Sequence, residues 1–176
     1  MAWSAQVQSW QAFYATAGGG ATALVGLLFV ALSMQIEVMV ARGDVRALAA
    51  RILNSFLSAI AVALVMLMPT LGARVTGDVF VALALFTLFA TVRGMWAGLG
   101  SGDRLLQLGH LVRRFGTAVI ANVGLVFIGL QMRGGPAGAL YNLALYMIVV
   151  LATGVYNTWD LILRVAAESR AKAQND

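Results

Sequence analysis

The sequence has no cysteine and few of the other residues from which active sites are usually built. Without cysteine, the chain can form no disulfide, no thiolate metal site and no cysteine nucleophile. His110 is its single histidine, so one chain cannot supply a histidine-rich metal site or a two-histidine zinc helix. Lys172 is its only lysine, which excludes a P-loop. We therefore expect no metal, no cofactor and no enzymatic activity.

Charged residues are equally scarce. They make up 11% of the chain, against 61% hydrophobic residues and a mean hydropathy of +0.86, whereas about a quarter of a soluble domain is charged. The net charge is +5, but the basic residues are spread between apolar runs and not clustered as a nucleic-acid-binding surface requires. The composition predicts a protein of the lipid bilayer that binds no nucleic acid.

Five apolar runs organise the chain, and each approaches the roughly 20 residues of a membrane-spanning helix. The third run must continue past Arg93, because its charge-free part, 79–92, has only 14 residues. The sequence predicts an all-α bundle of five transmembrane helices within residues 16–160. We place the first four spans at about 16–39, 52–73, 79–99 and 115–132, and the fifth over most of residues 134–159.

The segments outside the five runs are short. Residues 1–15 place Trp3, Val7, Trp10 and Tyr14 on one side of a helix, and aromatic rings of this kind favour the headgroup level. We expect an interfacial helix there, or a turn continuous with the first span. Residues 161–176 are expected to form a cytoplasmic helix or tail.

Glycine and proline mark the expected breaks between helices. Gly43-Asp44, Gly77-Asp78 and Gly102-Asp103 each place a helix-ending glycine beside an aspartate that can cap the next helix. Gly134-Gly135-Pro136 breaks the chain before the fifth run. The three aspartates are therefore assigned to capping.

The arginines set the expected orientation. With the N-terminus outside, ten basic residues fall on the inner side and only Arg74 and Arg133 on the outer side. This excess matches the positive-inside rule, so we predict an N-out, C-in topology. The inner set is Arg42, Arg46, Arg51, Arg93, Arg104, Arg113, Arg114, Arg164, Arg170 and Lys172.

Small residues follow one face of the first span. At 3.6 residues per turn, Gly19, Ala23, Gly26 and Ser33 share a stripe that also contains Val30 and Glu37. Small residues let membrane helices approach closely, so the stripe predicts a contact face. We expect its partner to be another helix of the same chain; a second chain is the alternative. Gly94 and Gly98, with Gly102, form a similar series at the end of the third span.

A few polar side chains fall inside the predicted spans. Glu37 and Arg93 lie at a similar inner level, where a charge must pair or reach the headgroups. We weigh an ion pair between them against separate snorkelling. Asn122 is the polar side chain nearest mid-membrane, and Asn54 with Ser58 could meet it or each other. A hydrated pathway through Asn54, Asn122 and Asn157 is the less favoured alternative.

The first span also carries a family resemblance. The block from Trp10 to Ser33, WQAFYATAGGGATALVGLLFVALS, resembles the first-helix signature of a family of small bacterial integral membrane proteins. In that signature an aromatic pair precedes an alanine-rich and glycine-rich run and then a Gly-Leu-Leu-Phe-Val-Ala-x-Ser sequence. Pro69, which closes the second run, also fits the pattern. The resemblance implies a multi-pass protein of the bacterial cytoplasmic membrane and assigns no catalytic residue.

Two functions follow from these observations. The favoured one is a non-enzymatic membrane protein that acts by self-association or by docking with a larger membrane protein, as an accessory or regulatory subunit. The alternative is a small homo-oligomeric ion channel or transporter lined by Glu37, Arg93 and Asn122. An enzyme acting on lipid would need a carboxylate pair or a histidine cluster, and only Glu37, Asp160 and His110 are available at the interface.

Overall fold

The computed structural model describes residues 3–34, 36, 43–68, 71–97, 104–135 and 138–173. In these residues the chain is all-α. The five helices are α1 (Trp3–Ser33), α2 (Gly43–Leu67), α3 (Ala73–Ala97), α4 (Arg104–Gly134) and α5 (Ala139–Ala173).

All five helices are long and apolar enough to cross a membrane. Large apolar side chains such as Phe86 and Ile120 are more than two-thirds exposed, which suits a surface in contact with lipid. The prediction of five apolar helices is confirmed, and the helices indicate a membrane protein. The candidate spans are Trp3–Ser33, Leu48–Leu67, Ala73–Arg93, Gly116–Gly134 and Ala139–Leu163.

The helices end at different places from the apolar runs. α2 stops at Leu67, six residues before the predicted 73, and α3 begins at Ala73 rather than at 79. The third span thus gains its length at its beginning, where its helix includes Arg74 and Asp78. α5 continues through Asp160 to Ala173. Charged residues end an apolar run, but they do not end a helix.

The break predicted at Gly77-Asp78 is wrong, because both residues lie inside α3. The turn falls earlier, where Gly72 precedes the helix and its carbonyl oxygen accepts hydrogen bonds from the Thr76 N–H at 3.0 Å and hydroxyl at 3.1 Å. At Gly43-Asp44 the glycine opens α2. Gly102-Asp103 lies outside the described residues.

The chain divides into two compact units. The first unit comprises Met1–Ser9 and Met68–Tyr146, and the second comprises Trp10–Leu67 and Met147–Asp176. In the first unit α3 and α4 pack against each other, and the indole Nε1 of Trp3 donates a 2.9 Å hydrogen bond to the Leu71 carbonyl oxygen. The core of the second unit is formed by Leu28, Val45, Ala49, Ile52, Phe56, Leu161 and Val165.

Candidate functional site

The buried face of α1 carries both small and bulky residues. Tyr14, Ala21 and Leu28 are at most 2% exposed, and Leu24, Val25 and Leu32 pack against the core cluster of the second unit. Gly18 lies on this face, where a Cβ would stand only 2.6 Å from the Ala63 Cβ. The packing glycine of α1 is therefore Gly18, which sequence reasoning missed because three consecutive glycines occupy this turn.

The predicted stripe lies on the other side of α1. Gly19, Ala23, Gly26 and Ser33 are all exposed, and a Cβ at Gly19 or Gly26 would meet nothing within 4 Å. The partner that the stripe was expected to find inside the chain is not present among the described residues. The alternative partner, a second chain, remains a prediction. Gly94 lies in α3, in a stretch whose side-chain surroundings are not described, and Gly98 is outside the described residues.

The glycines that do make contacts sit elsewhere. A Cβ at Gly129 would lie 2.7 Å from the Gly77 carbonyl oxygen and 2.9 Å from Val81 Cγ2, so α3 and α4 approach closely at this pair. In the second unit, a Cβ at Gly154 would lie 2.7 Å from Cε1 of Phe56, which is fully buried. None of these contact pairs had been singled out from the sequence, because both partners of a contact must be known before a glycine can be assigned to it.

Asn122 lies in a buried polar pair with Thr87. Asn122 is 8% exposed and its Nδ2 donates to the Ala118 carbonyl oxygen at 2.9 Å. The Thr87 hydroxyl, also 8% exposed, lies against Asn122 Oδ1 and the carbonyl oxygens of Leu83 and Ala84. Asn122 is thus paired with a threonine of α3, and Asn54 is exposed on α2. The sequence does offer a signal for Thr87, because it places a hydroxyl in the middle of the charge-free 79–92 run.

The ionic groups expected near the inner level are only partly described. Arg93 is exposed at the last residue of the α3 candidate span. Glu37 lies outside the described residues, so the Glu37–Arg93 ion pair stays a prediction. Asn157, the third member of the proposed pathway, is half-buried on α5.

One ion pair and one amide pair join neighbouring parts of the first unit. Arg133 Nε lies 3.2 Å from Asp78 Oδ1, and each side chain is more than half exposed. The Asn142 amide donates to Gln131 Oε1 at 2.8 Å. Asp78, assigned to capping from the sequence, instead sits within α3 and pairs with α4. At this exposure the pair is worth no more than about 1 kcal/mol.

The described part of the chain offers no cluster of metal-binding side chains. No group of three or more histidine, cysteine, aspartate or glutamate side chains lies together there. His110 falls within α4, in a stretch whose side chains are not described.

Comparison with known proteins adds no assignment to this geometry. No protein-family model, curated protein or solved structure matches the chain, so its function must be argued from the placement of its own residues.

Proposed function

We propose that this chain is a non-enzymatic integral membrane protein whose α1 docks onto a second copy of itself or onto a larger membrane protein, as an accessory or regulatory subunit. The exposed stripe of Gly19, Ala23, Gly26 and Ser33 carries the proposal. Two apolar helices gain no hydrophobic energy by meeting in lipid, so association depends on close backbone approach and interhelical hydrogen bonds. Small residues allow that approach.

The contrast between the glycines of α1 supports this docking face. Gly18 is in tight contact with α2, whereas Gly19 and Gly26 have open space above them. A helix that needed only to face lipid would gain stability from larger residues at these positions, because glycine costs about 0.5–1 kcal/mol in a helix interior relative to alanine. The open glycines are therefore better explained by an approaching helix.

We further propose that the protein lies in the bacterial cytoplasmic membrane with its N-terminus outside and its C-terminus inside. The ten-to-two distribution of basic residues supports this orientation. The resemblance of the Trp10 to Ser33 block to the first helix of small bacterial membrane proteins supports the location.

Site-specific crosslinking tests the docking face. A photo-crosslinking residue at Ala23 should join α1 to its partner in native membranes, whereas the same residue at Phe29, exposed but about 120° away from Ala23 around the helix, should not. Mass spectrometry of the adduct distinguishes a second copy from a different protein. Equal adduct yields from the two positions would contradict the proposal.

A steric variant provides the second test. Gly19→Leu with Gly26→Leu places two bulky side chains on the stripe, and Gly20→Leu is the matched control, being exposed and open but about 100° from Gly19. The double variant should lose the Ala23 crosslink while the control keeps it. A persistent crosslink in the double variant would show that the stripe is not the interface.

A liposome flux assay distinguishes the channel or transporter alternative from the docking proposal. Its lining would come from Glu37, Arg93 and Asn122, and Asn122 is already bonded to Thr87 and Ala118. We expect no conductance from the purified protein alone. Flux abolished by Asn122→Leu would favour the alternative instead.

A further inference from the structure

A cleft opens between the last turns of α1 and the first turns of α2, within the second unit. Its volume is about 210 Å³. Among the described residues that line it, Arg46 is the only charged one. The apolar walls include Leu28, Phe29 and Leu32 of α1 and Ala50 and Leu53 of α2.

The position of the cleft along the helices matches the depth profile of a bilayer. Arg46 lies two residues before the candidate span Leu48–Leu67, and Leu32 lies one residue before the end of the candidate span Trp3–Ser33. From Arg46 to Leu53 the helix advances about 10 Å. The cleft therefore has a charged mouth at the edge of the apolar layer and an apolar length below it.

Charge at the mouth favours an anion. The Arg46 side chain is exposed, and Arg46 is the fourth residue of the 25-residue α2. The free N–H groups of the first helical turn add partial positive charge at the same end. Basic pockets between membrane helices bind anionic lipid headgroups for this reason.

The lining of the cleft suits an acyl chain below an anionic headgroup. Below Arg46 the described lining is apolar, and it extends about 10 Å along α2 to Leu53. An anionic phospholipid matches both parts, because its phosphate meets the arginine and its acyl chain meets the apolar walls.

We propose that this cleft binds one anionic phospholipid, with its phosphate on Arg46 and an acyl chain along Phe29, Leu32 and Leu53. The site uses the packed side of α1 and not the stripe of Gly19 and Gly26, so it stands independently of the docking proposal.

Native mass spectrometry of the purified full chain tests the site with phosphatidylglycerol and phosphatidylcholine as probes. The unaltered protein should retain one phosphatidylglycerol and little phosphatidylcholine. Arg46→Gln should lower the retained fraction of phosphatidylglycerol about tenfold, since a charge-assisted hydrogen bond is lost, and Arg46→Lys should retain most of it. Ala50→Leu, which fills the cleft while keeping Arg46, should also lower retention.

Arg74→Gln is the matched control, because Arg74 is an exposed arginine at the second residue of α3. Its phosphatidylglycerol retention should equal that of the unaltered protein. Three results would overturn the proposal: undiminished retention in Arg46→Gln, an equal loss in Arg74→Gln, or equal retention of phosphatidylcholine. Displacement of the lipid by inorganic phosphate at the same concentration would also overturn it, by showing that the site takes a free anion.

Discussion

Gly129 shows how one missing side chain can join two helices. Its Cα faces the Gly77 backbone, and a Cβ there would lie 2.7 Å from the Gly77 carbonyl oxygen. Backbone atoms cannot rotate away, so Gly129→Ala should force α3 and α4 apart and destabilise the protein by about 1–3 kcal/mol. Thermal unfolding in detergent measures the loss.

Gly124 is the control for this substitution on the same helix. A Cβ at Gly124 would meet nothing within 4 Å, so Gly124→Ala should raise stability by about 0.5–1 kcal/mol through the higher helix propensity of alanine. Shifts of the same sign and size in the two variants would contradict the close approach at Gly129.

The Thr87–Asn122 pair is expected to orient helices more than to bind them. The Thr87 hydroxyl has a single proton and three acceptors within reach, so loss of Asn122 leaves it two carbonyl oxygens. Hydrogen bonds between membrane helices average about 0.6 kcal/mol. A double-mutant cycle of Thr87→Val and Asn122→Leu should give a coupling near that value by thermal unfolding. The same cycle with Thr91→Val, whose hydroxyl bonds to the Thr87 carbonyl oxygen, should give a coupling near zero.

At the scale of whole elements, the contact between α1 and α2 depends on a size match between Gly18 and Ala63. Gly18→Ala would bring two Cβ atoms to 2.6 Å and should destabilise the protein by about 1–3 kcal/mol. Adding Ala63→Gly removes the opposing Cβ, so the double variant should recover most of that loss in detergent unfolding. A double variant as unstable as the sum of the single variants would show that the two helices do not meet at this pair.

The number and type of the helices could be predicted from the sequence, because hydropathy decides whether a segment enters lipid. The faces could not be predicted. The apolar run of α1 has no charge on any side, so both its glycine stripe and its leucine face were compatible with a contact, and the chain buries the side that carries Gly18, Ala21 and Leu28. The predicted helix ends differ from the observed ones for a related reason. Hydropathy changes at charged residues, whereas the start of α3 is marked by Gly72 and its hydrogen bonds.

The polar pair could be predicted only in part. Asn122 was recognised from its depth, since an amide in an apolar run must find a partner. Its partner could not be identified, because the register between α3 and α4 is set by Gly77 and Gly129, and that contact is not visible in either helix alone.

For the whole molecule, five crossings would place consecutive connections on alternate sides of the membrane. Because the chain has no cysteine, single cysteines can be introduced without background, and exposed glycines at helix ends provide three positions: Gly43, Gly72 and Gly138. In the proposed N-out topology, Gly72→Cys and Gly138→Cys face outward. A membrane-impermeant maleimide should label both in intact cells.

Gly43 is the first residue of α2, and Gly72 follows the other end of that helix. Gly43→Cys should therefore be labelled only after the membrane is permeabilised. The reverse pattern would invert the proposed orientation while keeping five spans, since an odd number of crossings separates the two sets either way. Labelling of Gly72→Cys and Gly43→Cys from the same side would be more damaging. It would mean that α2 does not cross the bilayer. The arginine distribution would then no longer indicate an orientation, and the Arg46 cleft would no longer lie at the edge of the apolar layer.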